Sequence, residues 1–66
     1  MFYRIGDIIV NCNEITTMYI ETKPSNQSKV LVLFKGISRD ICIFMGDRQQ
    51  CEKIGSEIIA LMENEV

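Results

Sequence analysis

The sequence predicts an α+β protein, in which an antiparallel sheet of four to five short strands carries one C-terminal helix packed on one face. Two five-residue apolar runs, at 30–34 and 41–45, are joined by a short segment that contains a glycine, as in a hairpin. A further segment, 15–22, is rich in β-branched residues, which favour strands. From residue 51 onward, apolar residues recur with a period of about 3.6 instead of two, which predicts a helix.

The first two strands form a predicted hairpin. Residues 2–5 and 8–10 flank the pair Gly6-Asp7, and a glycine at the first position of a two-residue loop suits a type II′ turn. A polar turn at 11–14 follows, where asparagine tolerates left-handed backbone angles. This turn leads into the third strand, the β-branched segment.

The last two strands are predicted at 29–35 and 40–45. A polar loop at 23–28, which holds the single proline of the chain, joins the third strand to the fourth. Gly46 ends the fifth strand. All five strands, at about 2–5, 8–10, 15–22, 29–35 and 40–45, belong with the helix to one predicted domain spanning residues 1–66.

The helix is predicted at about 48–63. Asp47 is placed as its N-cap, with Gln50 three residues later in the capping-box position. Gly55 lies inside the apolar stripe, and two explanations stand for it: a close helix–helix crossing at a dimer axis, or close packing against Phe34 or Phe44 of its own sheet. The stripe comprises Cys51, Ile54, Gly55, Ile58, Ile59, Leu61 and Met62.

Length and charge limit the classes of function. A chain of 66 residues buries only about 60% of its unfolded surface, so it is marginally stable without cross-links or association. The net charge is −2 and the isoelectric point about 4.9, which argues against a general nucleic-acid-binding protein. No apolar run approaches the roughly 18–20 residues that span a bilayer. The N-terminus lacks the apolar core of a signal peptide, so we expect a cytoplasmic protein with no membrane partner.

The cysteine pattern predicts neither disulfides nor a metal site. The three cysteines, Cys12, Cys42 and Cys51, include no C-x-x-C pair, and the chain has no histidine. An odd number of cysteines without a signal peptide fits reduced thiols in the cytosol. We expect Cys42 and Cys51 to be buried and Cys12, in a turn, to meet solvent.

No constellation for catalysis is recognisable. Without histidine, acid–base chemistry would fall to carboxylates, tyrosine, cysteine or lysine. The carboxylates are distributed over turns and the polar side of the helix, and Cys12 has no identifiable base. There is no glycine-rich phosphate loop. We therefore predict a protein that is not an enzyme and binds no cofactor.

The two apolar runs predict a sheet that is apolar on both faces. If Gly36 to Arg39 form the hairpin loop, Phe34 pairs with Ile41 and each later pair follows in step, with opposed residues sharing a face. The helix can cover one face, made by Val30, Val32, Phe34, Ile41, Ile43 and Met45. The other face is the predicted interface, and it comprises Leu31, Leu33, Cys42 and Phe44, together with Tyr19.

Three ways to cover this second face remain open. A second copy of the chain would bury it in a homodimer or higher oligomer. The N-terminal hairpin could fold over it, with Phe2, Tyr3, Ile5 and Ile8 as the covering side chains. A different protein could bind it permanently. Self-association is the preferred hypothesis, because four large apolar residues left in water would forgo roughly 6–10 kcal/mol.

The order of elements also carries a resemblance. The run from Ile5 to Ile15, followed by an alternating strand, a glycine-containing hairpin and a C-terminal helix, resembles small bacterial and phage proteins of this architecture. More remotely, it is similar to the last strands and helix of pleckstrin-homology-like domains, although it lacks strands that a complete domain of that kind has. The resemblance implies a binding or assembly module and carries over no functional residue.

These observations lead to a first hypothesis, a small cytoplasmic homo-oligomeric interaction module that acts as adaptor or regulator. An alternative from another class is a phage- or mobile-element-type inhibitor that docks on a host enzyme, with the acidic surface of its helix acting as a nucleic-acid mimic. A third, an enzyme with a site at a subunit interface, would need Cys12 or paired carboxylates in a shared pocket.

Overall fold

The computed structural model describes residues 1–25 and 27–63, and it confirms the α+β class with five antiparallel strands and a C-terminal helix. The helix packs against the sheet that the last three strands form. A single turn of 3₁₀ helix, Cys12–Glu14, separates the first two strands from the others. The elements are β1 (Phe2–Ile5), β2 (Ile8–Asn11), β3 (Ile15–Thr22), β4 (Ser28–Phe34), β5 (Ile41–Gly46) and α1 (Arg48–Glu63).

The strands are divided between two sheets instead of one. β1 and β2 form a two-stranded hairpin, while β3, β4 and β5 form a three-stranded sheet in that order. Gly6 has a φ of +57°, as the first position of a tight two-residue hairpin loop requires. The 3₁₀ turn redirects the chain between the sheets, and the Lys35 N–H donates to the Glu14 carbonyl at 2.8 Å to tie the turn to the end of β4.

The register of β4 and β5 differs from the expected one. Val30 lies opposite Phe44 and Leu31 opposite Cys42, so Ile43 is an extra residue in β5. Such a β-bulge puts two residues of one strand against one of the other and changes the pairing on either side. The expected step-by-step pairing from Phe34 and Ile41 is wrong for two reasons. Ile41 lies opposite Val32 instead of Phe34, a shift of two residues that keeps the sides unchanged, and the bulge then reverses the sides of the residues that follow it. A second irregularity falls at Thr16 in β3.

The core lies between the three-stranded sheet, α1 and the inner side of the hairpin. Val30 and Val32 from the central strand and Ile58 from the helix are completely buried. The Ser28 hydroxyl is also buried, and it lies 3.5 Å from Thr22 Oγ1 across the strand pair. The buried apolar residues are Val10, Cys12, Ile15, Val30, Val32, Ile43, Cys51 and Ile58.

The helix starts with the predicted capping box. Asp47 Oδ1 accepts from the Gln50 N–H at 2.8 Å, and Gln50 Oε1 accepts from the Asp47 N–H at 3.2 Å. The Cys51 N–H donates to the Asp47 carbonyl at 3.0 Å as the first helical bond. Two donors that a helix start would leave unpaired are thus satisfied reciprocally.

Replacing the cap should destabilise the helix start measurably. We expect Asp47→Ala to lower the free energy of unfolding by about 1 kcal/mol, because the Gln50 N–H loses its acceptor. Urea denaturation followed by circular dichroism measures the change. Asp47→Asn, which keeps a side-chain oxygen acceptor, is the control and should lose only a few tenths of a kcal/mol. Equal losses in the two variants would contradict the capping role.

Gly55 packs on its own sheet, as one of the two explanations held, but not on the expected aromatic residues. A Cβ atom at Gly55 would lie 3.3 Å from Ile20 Cδ1 and 3.4 Å from Met18 Cε, both on β3. The absence of a side chain therefore lets α1 approach β3 closely.

Among the residues described, no helix is long and apolar enough to cross a membrane.

Candidate functional site

The side of the three-stranded sheet that faces away from α1 carries three rows of side chains, which we call the outer face. The cross-strand register defines the rows, because directly opposed residues project to the same side. The middle row is wholly apolar or aromatic except for a thiol. In order, the rows are Glu21, Lys29 and Met45; Tyr19, Leu31 and Cys42; and Thr17 and Leu33.

The helix leaves this face open to solvent. Tyr19 is 39% exposed and Met45 52% exposed, while Leu31 and Leu33 in the central strand are partly buried by their neighbours. Cys42 is exposed as well. Core residues occupy the opposite side of the same strands, so the sheet is apolar on both sides as the two runs predicted.

The N-terminal hairpin does not cover the outer face. It packs on the inner side of the molecule, where Val10 is buried in the core and Tyr3 and Ile5 pack against it. The Tyr3 hydroxyl donates to Glu57 Oε1 on α1 at 2.5 Å. The expectation that Phe2, Tyr3, Ile5 and Ile8 could fold over the outer face is therefore not met, because the hairpin is held against the helix instead.

Phe44, which was predicted at the interface, does not lie on the outer face. It lies opposite Val30, which is completely buried, and it packs against the core on the helix side. The bulge at Ile43 is the physical reason, since one extra residue reverses the sides on which the following residues project. Met45 takes the place of Phe44 on the outer face, and no local feature of the sequence signals this exchange.

Two of the three cysteines are also placed differently from the prediction. Cys12 is buried, because the 3₁₀ turn directs its side chain into the core. Cys42 is exposed on the outer face, opposite Leu31. Cys51 is buried beneath α1 as predicted, and this burial raises the pKa of its thiol. Cys42 is thus the accessible thiol of the three.

Polar contacts surround the apolar centre of the outer face. The Tyr19 hydroxyl donates to Asp40 Oδ2, and this hydrogen bond is the main cause of the raised pKa of Tyr19. Gln27 Nε2 donates to Met45 Sδ at 3.1 Å, which places a loop side chain at the opposite end. Glu21 and Lys29 lie in direct register, so the rim holds both signs of charge. An apolar centre with a mixed polar rim is the usual composition of a protein–protein interface.

The remaining surface provides little for chemistry. Among the residues described, no group of three or more His, Cys, Asp or Glu side chains is arranged to hold a metal ion. An open depression of about 690 Å³ lies at the start of α1, lined by Asp47, Arg48, Gln49 and Glu52. All four side chains are exposed, and Arg48 Nε is 3.2 Å from Glu52 Oε2 in an i,i+4 ion pair. The depression resembles a solvated helix end.

The hairpin carries a second exposed apolar patch. Phe2 is 68% exposed and Ile9 66% exposed, and both project from the side of the hairpin that faces away from the core. Arg4 lies between them in the register, opposite Ile9, and its Nε donates to the Gly6 carbonyl at 2.9 Å. This patch is smaller than the outer face and is interrupted by the guanidinium group.

The contact between Tyr3 and Glu57 should be visible in a pH titration. Burial, and then the hydrogen bond to Glu57, raise the pKa of Tyr3 from 10.0 to about 12. The folded state therefore keeps the Tyr3 proton where the unfolded state loses it, so stability is fully present below pH 10 and falls as pH rises toward 12. Tyrosinate absorbance in a Tyr19→Phe variant, which leaves one tyrosine, measures this directly.

The same titration contains its own control. Glu57→Gln in the Tyr19→Phe background removes the carboxylate and should move the Tyr3 pKa part of the way back toward its ordinary value, since burial remains. A Tyr3 that ionises near its ordinary value while the protein is still folded would contradict the described contact.

Comparison with protein-family models, with curated proteins and with solved structures finds no match to this chain. The remote resemblance in element order therefore stays a prediction, and the geometry of the outer face is what bears on function.

Proposed function

We propose that this protein is a small, non-catalytic interaction module that associates with a second copy of itself through the outer face. The observation that carries the proposal is the apolar row that no described element covers across three strands, Tyr19, Leu31 and Cys42, continued by Leu33 and Met45; its outer members are exposed and the two leucines are partly buried. Contiguous apolar patches on soluble proteins mark association sites far more often than scattered exposed residues do. Burial of each large side chain would contribute about 1.5–3 kcal/mol.

The charges favour another copy as the partner. Glu21 and Lys29 are side by side at one end of the face, and Asp40 accepts from Tyr19 at its margin. The face therefore has no large excess of one sign that would call for a strongly charged partner. A surface of mixed charge around an apolar centre is suited to contact its own copy across a two-fold axis, as most homodimers do.

The alternative, an inhibitor with an acidic helix surface, has weaker support. Glu52 is paired with Arg48, and Glu57 accepts the hydrogen bond from Tyr3. These contacts leave the exposed side of α1 with interspersed charges, whereas mimicry of a nucleic acid needs a continuous acidic surface. The thiol state of Cys12, Cys42 and Cys51 agrees with a reducing compartment such as the cytoplasm, which we include in the proposal.

Mass measurement of charged variants tests the proposal. We expect light scattering at low micromolar concentration to give a mass above that of one chain, and Leu33→Glu to reduce it, because a charge would be buried against the partner. Met45→Glu, on a more exposed position of the same face, should reduce it as well. Circular dichroism shows whether each variant is folded.

Ile9→Glu is the matched control. It introduces the same charge at an exposed apolar position on the hairpin, away from the outer face, and should leave the mass unchanged. A wild-type protein that is monomeric at high concentration would contradict the proposal. So would folded Leu33→Glu and Met45→Glu variants that keep the wild-type mass.

A further inference from the structure

The outer edge of β3 is an unprotected strand edge. Among the residues described, β4 is the only strand that pairs with β3, so the other edge of this eight-residue strand faces outward. The strand contains neither lysine nor proline, and Glu21 is its one charged residue. Edges that proteins protect from association are short or carry such residues. Of these protective features, β3 has only Glu21 and the irregularity at Thr16 near its start.

The hydrogen-bond pattern shows which backbone groups lie on this edge. The Lys23 N–H donates to the Gln27 carbonyl at 2.9 Å, which continues the register of β3 and β4 by one pair. Because bonded and non-bonded pairs alternate in an antiparallel ladder, the backbone groups of Tyr19 and Glu21 also point toward β4. Those of Met18, Ile20 and Thr22 point away from the sheet.

From this edge we propose that β3 pairs with β3 of a second copy, antiparallel across a two-fold axis at Tyr19. A register centred on Tyr19 pairs the whole segment 16–22, from the bulge to the end of the strand. It places Met18 opposite Ile20 of the other copy. The outward N–H groups of these two residues then donate to each other's carbonyl oxygens. Glu21 then lies opposite Thr17, and no like charges meet.

Both sides of the edge carry apolar groups that this pairing would bury. On the inner side, Gly55 brings α1 against Met18 and Ile20, and Ile59 lies one helical turn later on the same flank. Ile59 is 44% exposed although it belongs to the apolar stripe. On the outer side, the exposed ring of Tyr19 would lie beside its symmetry mate. Pairing would therefore add apolar burial to the backbone hydrogen bonds.

The opposite edge of the sheet is less suited to the same contact. β5 has six residues, and the bulge at Ile43 interrupts it in the middle. A bulge twists a strand and breaks the regular spacing of its outward groups. Strand addition at β5 would therefore lose ladder bonds that β3 can make.

The edge contact is distinct from the outer-face contact and rests on separate observations. The outer face of one chain covers only on the order of 300 Å², from three strands and three rows. Interfaces of standard size bury about 800 Å² per partner, so the outer-face contact is small on its own and would be strengthened by a larger surface. Joining two β3 edges would make one continuous six-stranded sheet with twice the outer face. If both contacts form, the assembly contains four copies.

Hydrogen exchange on the wild-type protein is the first test. At high protein concentration the amides of Met18 and Ile20 should exchange at least about tenfold more slowly than at low concentration. The reason is that they become hydrogen-bonded only when two β3 strands pair. The Met45 amide is the internal control. Its partner Lys29 directs its backbone groups to Glu21 of β3, so the Lys29–Met45 pair is not hydrogen-bonded and the Met45 amide points to the opposite edge of the sheet. If the exchange rates of the Met18 and Ile20 amides do not depend on protein concentration, the proposal is overturned.

Disulfide trapping is the second test and separates the two contacts. Tyr19→Cys is made with Cys42→Ser, which removes the accessible native thiol, and with Leu33→Glu, which removes the outer-face contact. Opposed residues across a β3 pair have Cα atoms about 4.5–5.5 Å apart, within disulfide range. Sheets stacked on their faces are about 10 Å apart, which is too far.

Thr17→Cys in the same background is the matched control. Thr17 is also exposed, on the same side of the same strand, but would lie about 13 Å from its own copy in the proposed register. Oxidation should cross-link the Tyr19→Cys protein at least about tenfold faster than the Thr17→Cys protein. Equal rates, or no cross-link in a folded Tyr19→Cys protein, overturn the edge contact while leaving the outer-face proposal to its own mass measurement.

Discussion

Ile58→Ala should destabilise the protein more than any other single truncation in α1. Ile58 is completely buried where the helix meets the sheet, so its truncation leaves a cavity beside Val30 and Val32 in the same core. Such changes cost about 2–5 kcal/mol. A domain of this length has a total stability of roughly 3–10 kcal/mol, so much of the folded population would be lost.

Urea denaturation of Ile58→Ala beside Ile59→Ala measures this effect. The second variant deletes the same atoms from the next residue of the helix, which is 44% exposed, and should lose less than about 1 kcal/mol. The apolar stripe predicted from the sequence contains both residues and does not distinguish them. Equal losses in the two variants would therefore contradict the orientation of α1 that buries Ile58 and leaves Ile59 at the surface.

Phe44→Ala should lower stability by roughly 2–4 kcal/mol, whereas Met45→Ala should change it by less than about 1 kcal/mol. Phe44 packs against the core opposite the buried Val30, and Met45 lies on the outer face. The uninterrupted register predicts the reverse order, with Met45 beneath the helix. The pair of variants therefore tests the bulge at Ile43 directly.

The measurement should be made at the lowest workable protein concentration, so that association does not add to the apparent stability. A larger loss for Met45→Ala than for Phe44→Ala would restore the uninterrupted register. It would also return Phe44 to the candidate interface with Tyr19, Leu31, Leu33 and Cys42.

Local signals in the sequence were sufficient to predict the secondary structure. The Gly6-Asp7 pair marks the first turn, Asp47 and Gln50 mark the helix start, and Gly46 marks the end of β5. Each of these features depends on bonds between residues close together in the chain. The predicted strands and helix consequently lie within about two residues of the observed ones.

The candidate site was predictable in its central strand but not at its margins. Leu31 and Leu33 alternate with Val30 and Val32, so a strand at this position must project them to opposite sides. The neighbouring strand depends on a register that a single extra residue, Ile43, changes. For that reason Phe44 was misplaced and Met45 was missed.

Strand alternation and helix periodicity are local properties, so they were enough to predict an α+β chain with a sheet apolar on both sides. Which residues form the open side depends on tertiary contacts. The bulge in β5, the 3₁₀ turn that buries Cys12, and the hairpin held to α1 by Tyr3 and Glu57 all arise from contacts between distant segments. These contacts leave the outer face and the edge of β3 exposed together.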